Sequence, residues 1–214
     1  MVNVAIVDYG LGNLFSIQRA FDSLGANSCI TEKPEELTAA DKIVLPGVGA
    51  FEEGMCRLRK NGLMEALIAV KVMGKPILGI CLGMQLLMSE SEENGLHSGL
   101  DFLTGRVVRF TPCINPDERY KIPHICWNSI QRPDEAEDTW SRSVLSGIPG
   151  GAFMYFAHSY YVEITGNNDL LAKTSYGVDH FASVVQKDNV AGCQFHPERS
   201  GEQGLQILNN FVNG

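Results

Sequence analysis

Short apolar runs alternate with apolar residues at helical spacing through the first half of the chain. Residues 2–7, Val-Asn-Val-Ala-Ile-Val, read as a buried strand, and after Gly10-Leu-Gly12 the positions Leu14, Ile17, Ala20, Phe21 and Leu24 fall on one face of a helix that stops at Gly25. Residues 27–30 and 42–45 predict two more strands, and Pro46-Gly-Val-Gly49 follows the second of them. A helical stretch over about 51–72 leads into the strand 76–80, after which Met84, Leu87 and Met88 keep helical spacing. Strands that alternate with helices imply βαβ units and a mostly parallel sheet, an α/β fold.

From about residue 100 the pattern changes to β-rich runs at 152–156, 159–164 and 170–174, which predict antiparallel additions to the sheet. Residues 181–186 and 190–195, joined by Lys187-Asp-Asn189, form a candidate hairpin that delivers the chain to His196. Residues 132–138 read as an acidic surface loop, and 204–212 as a closing helix. The 214 residues fit one domain, with no internal repeat to divide them.

Composition narrows the function. Hydrophobic residues at 44% and charged residues at 20% give the balance of a soluble globular protein. The net charge of -8, without a Lys/Arg block to track phosphates, argues against nucleic acid. The longest uncharged stretch, 76–89, is short of the roughly 18 apolar residues of a membrane span, and the N-terminus lacks the pattern of a signal peptide. No membrane partner and a cytoplasmic setting are expected. Six cysteines, at 29, 56, 81, 113, 126 and 193, show no spacing of a metal site or disulfide framework, so no metal is expected and all but Cys81 read as buried, inert thiols.

Cys81 differs because Gly79-Ile-Cys-Leu-Gly83 sits between a strand and a helix, the cysteine form of a nucleophile elbow. The flanking glycines let strand and helix backbones pass closely, and a helix start at the sulfur favours the reactive thiolate. A thiolate nucleophile needs a base and a group to orient that base, and Phe195-His196-Pro-Glu198 supplies both at a strand end. Taken singly, a cysteine between glycines or a His-Pro-Glu turn is an ordinary structural feature; their combination is what points to catalysis. Pro46-Gly-Val-Gly49, at the level where the elbow strand ends, could turn backbone amides toward an oxyanion, although it also reads as a plain βα turn. It lacks the Lys of a phosphate loop, and Asp8-Tyr-Gly-Leu-Gly12 lacks the third glycine of a dinucleotide fingerprint, so no cofactor is expected.

With Asp8-Tyr-Gly-Leu-Gly-Asn-Leu14, Leu45-Pro-Gly-Val-Gly-Ala-Phe51, Leu78-Gly-Ile-Cys-Leu-Gly-Met-Gln-Leu86, Pro123-His-Ile-Cys-Trp-Asn128, Tyr155-Phe-Ala-His-Ser-Tyr160 and Gln194-Phe-His-Pro-Glu-Arg-Ser-Gly201 in order, the chain resembles the class I, triad-type glutamine amidotransferases nearly end to end. Within them it is similar to the glutaminase family of imidazole glycerol phosphate synthase. The resemblance implies a flavodoxin-like three-layer sandwich, Cys81 as nucleophile, His196 as base then acid, and Glu198 as its orienting partner. It also implies glutamine as substrate held by Gln85, and an oxyanion hole from the Gly47–Gly49 loop, through Val48 or Gly49, with the amide of Leu82, the loop rearranging where needed. Asn13, Trp127, Asn128, His158 and Arg199 correspond to the family's side facing a (β/α)8-barrel cyclase, with which a heterodimer is expected; Trp127 also reads as a plain core residue. Cys126 departs from the family, whose members usually carry Gly before Trp-Asn.

A partner is chemically sensible, because ammonia released into neutral water is mostly protonated and no longer nucleophilic. Two other readings stay open: the same chemistry serving a related barrel synthase that amidates a surface-polysaccharide sugar, and a catalytically idle docking subunit.

Overall fold

The computed structural model describes residues 1–112, 120–133, 139–166 and 168–214. In chain order the first half runs β1 (Asn3–Val7), α1 (Leu14–Ser23), β2 (Asn27–Thr31), α2 (Pro34–Ala39), β3 (Lys42–Leu45), α3 (Phe51–Lys60), α4 (Leu63–Val72), β4 (Ile77–Ile80) and α5 (Leu82–Leu86). The strands β5 (Met88–Ser91), β6 (His97–Ser98), β7 (Leu103–Arg109), β8 (His124–Ser129), β9 (Phe153–His158), β10 (Tyr160–Ile164), β11 (Leu170–Tyr176), β12 (Asp179–Lys187) and β13 (Val190–Cys193) follow, and α6 (Gly201–Asn213) closes the chain.

One sheet has the order β2-β1-β3-β4-β13-β12-β10-β7-β5-β6, with β11 paired to β12. Its first five strands are all parallel, and β12 joins β13 antiparallel, so the expected α/β sheet with antiparallel additions is present. Alternation along β1 builds the layers: Val4 and Ile6 face a core with Phe21 of α1 and Phe211 of α6, while Ala5 and Val7 face a core with Leu37, Phe51 and Leu67 of α2, α3 and α4. Helices on both faces explain why β3 and β4 are apolar at nearly every position and buried throughout. Each large side chain sealed there contributes on the order of 2 kcal/mol.

Four expectations need correction. The helical stretch 51–72 is two helices, broken at Gly62, whose φ of 68° lies in the left-handed region where a helix cannot continue. The helix after Cys81 ends at Leu86, and Met88 begins β5; both are buried, and apolar spacing alone does not separate a buried helix from a buried strand. The run 152–156 does not join the main sheet, because β9 pairs with β8 in a separate two-stranded ribbon. Of the cysteines read as buried, Cys29 and Cys56 are exposed and Cys126 is half-buried, leaving Cys193 as the buried one among the described residues. The sequence reading also placed no element at α2, β5, β6, β7 or β8. Cys113 and all of the acidic loop 132–138 beyond Pro133 lie outside the described residues. No helix among them is long and apolar enough to cross a membrane.

Candidate active site

Three neighbouring parallel strands set the site. Leu45 of β3 pairs with Gly79 of β4, and Ile80 pairs with Cys193 of β13, so the segments 46–49, 81–83 and 194–198 leave the sheet side by side at its carboxyl edge. Cys81 makes the sharpest departure, with φ 54° and ψ −110°, while its N–H donates to the Cys193 carbonyl at 2.8 Å. A non-glycine residue in this region costs on the order of 1–3 kcal/mol, which the surrounding glycines make tolerable. A Cβ on Gly83 would lie 1.7 Å from the Leu45 oxygen, and one on Gly79 would lie 2.7 Å from Leu87 and the Met84 nitrogen. With five residues, α5 is too short for a large macrodipole, so the field at the sulfur comes from its first amides, which have no partner within the helix.

His196 stands two residues past Gln194, and its Nδ1 is 2.9 Å from Oε1 of Glu198, whose side chain is wholly buried. Burial opposes charge on this imidazole, but hydrogen bonds to Cys81 and Glu198 outweigh it and raise the His196 pKa to about 10. With Nδ1 taken by the carboxylate, Nε2 is the nitrogen left for the sulfur. By contrast, burial pushes the Cys193 thiol well above its ordinary range, which suits an inert packing role.

Gln194 is fully buried and its Nε2 lies 3.8 Å from the Cys81 sulfur. Its Oε1 accepts from Nε2 of Gln85 at 3.1 Å, and the same Gln85 nitrogen donates to the Tyr160 carbonyl at 2.9 Å. Reading the motifs for catalytic residue types passes over Gln194, although its period-two spacing to His196 was visible.

A cleft of about 240 Å³ opens over Cys81, lined among others by Val48, Gly49, Leu82, Gln85 and Glu93. Gly47 sits behind it: a Cβ there would lie 2.2 Å from the Tyr9 oxygen and 2.9 Å from Leu82. The buried Tyr9 hydroxyl donates to the Pro46 carbonyl at 2.7 Å and so anchors the loop whose next residues face the cleft. Glu93 was not foreseen; Oε2 of its carboxylate accepts from the Phe51 N–H at the start of α3, at 2.7 Å. Among the described residues no group of three or more His, Cys, Asp or Glu could hold a metal.

The residues expected to face a partner divide. Asn13 and Arg199 are exposed, Arg199 stacking its guanidinium over Tyr155 at 4.4 Å. Trp127 is 51% exposed, which removes the core reading, and the buried tryptophan is Trp140, whose indole N–H meets the Leu171 carbonyl. His158 does not face outward: it is buried at the lining of the cleft, and its ring is engaged by His124 and the Tyr160 carbonyl. The Asn128 side chain turns inward to His124 and the Ser175 carbonyl. Cys126 is accommodated without a bulge, because β8 and β9 stay in register from His124 to Ser129.

Residues 5–214 match the family described as glutamine amidotransferase class-I. The chain is 48% identical to imidazole glycerol phosphate synthase subunit HisH of Methanosarcina acetivorans, over 99% of this chain and 98% of that protein. It is 46% identical to the subunit of the same name from Archaeoglobus fulgidus, over 98% of each. The fold is similar to the crystal structure of a glutamine amidotransferase, with TM-score 0.72 and 18% identity over 98% of this chain and 97% of that one.

Proposed function

The chain belongs to the class-I glutamine amidotransferase family, and from that premise we propose that it is a single-domain glutaminase that hydrolyses glutamine at Cys81 and passes the ammonia to a (β/α)8-barrel cyclase subunit in histidine biosynthesis. The observation that carries this reading is the strained Cys81, flanked by Gln194 and by a His196 that Glu198 orients.

The chemistry follows from the geometry. The Cys81 thiolate attacks the side-chain amide carbon of glutamine, and the developing oxyanion meets the amides of Leu82 and of the loop at Val48 and Gly49. The His196 imidazolium gives its Nε2 proton to the departing nitrogen, the C–N bond breaks, and ammonia leaves a glutamyl thioester. Neutral His196 then takes a proton from water as that water attacks the thioester. Glutamate departs, and the thiolate and imidazolium return. Glu93 in the cleft offers a carboxylate to the substrate α-ammonium, and Gln85, with both its N–H bonds used, offers a free oxygen.

Loss of one oxyanion donor costs on the order of 10²–10³ in rate, so docking that completes the hole through the 46–49 loop can gate the reaction. Trp127, Ile125 and Phe153, exposed on the β8–β9 ribbon, together with Arg199 and Asn13, support a docking face there in a cytoplasmic heterodimer. The test is glutamine hydrolysis with and without the cyclase and its nucleotide ligand. A large gain on docking, reduced by Trp127→Ala, is expected; full activity of the isolated chain refutes the gating. The names of the relatives favour this acceptor over a polysaccharide sugar.

A further inference from the structure

Two buried histidines that the mechanism does not use adjoin the cleft, His158 in its lining and His124 behind it. Nδ1 of His124 on β8 is 3.0 Å from Nε2 of His158 on β9, and Nδ1 of His158 is 2.8 Å from the Tyr160 carbonyl. Phe110 and Phe156 enclose both rings, and Tyr176 stacks on His124 at 3.9 Å between centroids. Asn128 closes the far end, with Nδ2 3.3 Å from Nε2 of His124.

The direction of every bond in this line is fixed by backbone groups at its two ends. The Tyr160 carbonyl can only accept, so His158 carries its proton on Nδ1 and presents a lone pair on Nε2. His124 must then donate from Nδ1 and accept at Nε2. Asn128 supplies that donor, because its Oδ1 is already taken by the Ser129 N–H at 2.8 Å. Both rings must be neutral for this pattern, and burial lowers both pKa values well below the ordinary range of histidine. At the near end, the second lone pair of the Tyr160 carbonyl takes Nε2 of Gln85, whose other N–H goes to Oε1 of Gln194. Gln194 is thereby left with its amide nitrogen, not its oxygen, toward the sulfur. An oxygen in that place would repel a thiolate.

We propose that His124 and His158 are positioning residues of the glutaminase site: they pin the Tyr160 carbonyl, which through Gln85 keeps the Gln194 N–H directed at the Cys81 sulfur. This rests on Cys81 being the nucleophile of glutamine hydrolysis. Its readout, however, is the sulfur itself and does not require turnover.

The experiment measures the rate at which iodoacetamide alkylates Cys81 in the full chain, followed on the Cys81 peptide by mass spectrometry, alongside kcat with the cyclase bound and the melting temperature. His158→Leu removes the donor to Tyr160 and so releases the Gln194 N–H from the sulfur; that hydrogen bond to a charged thiolate is worth about tenfold or more, so alkylation and kcat are expected to fall about tenfold. His158→Asn, whose amide nitrogen can stand where Nδ1 stands, is expected to stay within about threefold of the parent. His124→Phe, which keeps a ring in the aromatic cage and lacks the donor, gives a second arm and is expected to follow His158→Leu. Gln194→Leu removes the donor on the sulfur directly, so His158→Leu added to it is expected to cost no more than about a further twofold. Losses that multiply, or that track melting temperature and spare alkylation, overturn the proposal. If glutamine is not hydrolysed but the alkylation pattern holds, the functional reading fails and the positioning role stands.

Discussion

Replacing Glu198 by Gln tests the orientation of the base, because the structure leaves the new amide no good position. Oε1 of Glu198 faces Nδ1 of His196 at 2.9 Å, while Oε2 is buried with no hydrogen-bond partner among the described residues. If the oxygen of the new amide stays on Nδ1, its NH2 occupies the orphan site and is buried unpaired, a cost of about 1–3 kcal/mol. If the amide flips, its N–H faces Nδ1, drives the proton to Nε2, and leaves a neutral ring that cannot take a proton from the sulfur. Either way the carboxylate charge is lost, and two unit charges about 4 Å apart at an effective dielectric near 20 interact by about 4 kcal/mol, worth about three pKa units on His196. The expected result is kcat down by about 10²–10⁴, as for a triad whose base is misoriented, with little change in KM. Steady-state glutaminase assays with the cyclase bound measure this. A Glu198→Gln enzyme within threefold of the parent refutes the role of Glu198.

Gly83→Ala puts a methyl against the Leu45 carbonyl, an approach that neither backbone can relieve; a drop of about 3 kcal/mol or more in urea-unfolding stability is expected, and a parent-like midpoint counts against the close passage of β3 and α5. Tyr9→Phe strips the buried Pro46 carbonyl of its donor, so a loss of about 1–3 kcal/mol is expected together with a reduced stimulated rate; unchanged stimulation means that Tyr9 does not anchor the loop. Stability is also expected to fall in mild acid: burial holds His124 at about 4 and His158 at about 3, so below the unfolded value of 6.5 the unfolded chain binds protons that the native one refuses. Their contribution is complete above about 6.5 and is lost as pH falls toward 4 and then 3, at up to about 1.4 kcal/mol per pH unit for each ring. His196 is raised to about 10, so its contribution is complete below 6.5 and lost as pH climbs through 10; the carboxylates held low, Glu36 and Asp41, give up theirs only below the ordinary carboxylate range, which leaves the slope between pH 7 and pH 5 to the pair. Melting temperatures at pH 7 and pH 5 that coincide in the parent refute this.

The parallel half of the fold was legible because strands buried on both faces are written as unbroken apolar runs between glycine turns, as at β1, β3 and β4. The residues from Met88 to Ser129 were not, since β5, β7 and β8 mix buried and exposed positions and gain their pairing from strands far away in sequence. In the site, the residue types that do chemistry announced Cys81, His196 and Glu198 as candidates, and the structure brings them together. Gln194, Tyr9 and Glu93 stand out only by contacts between segments distant in sequence: Gln194 reaches Cys81 once β4 and β13 pair, Tyr9 reaches Pro46 across β1 and β3, and Glu93 reaches Phe51 at the start of α3. His158 misled for a related reason: a strand residue near a docking face can point inward, and the sequence does not say which way its side chain faces.

The most direct test quenches the cyclase complex in acid during turnover of isotope-labelled glutamine and maps the label on cysteine peptides. The account predicts a labelled glutamyl group on the Cys81 peptide, absent from the peptides of the exposed Cys29 and Cys56 and absent everywhere in Cys81→Ser. Label on another cysteine, or ammonia release at the parent rate by Cys81→Ser, would contradict it.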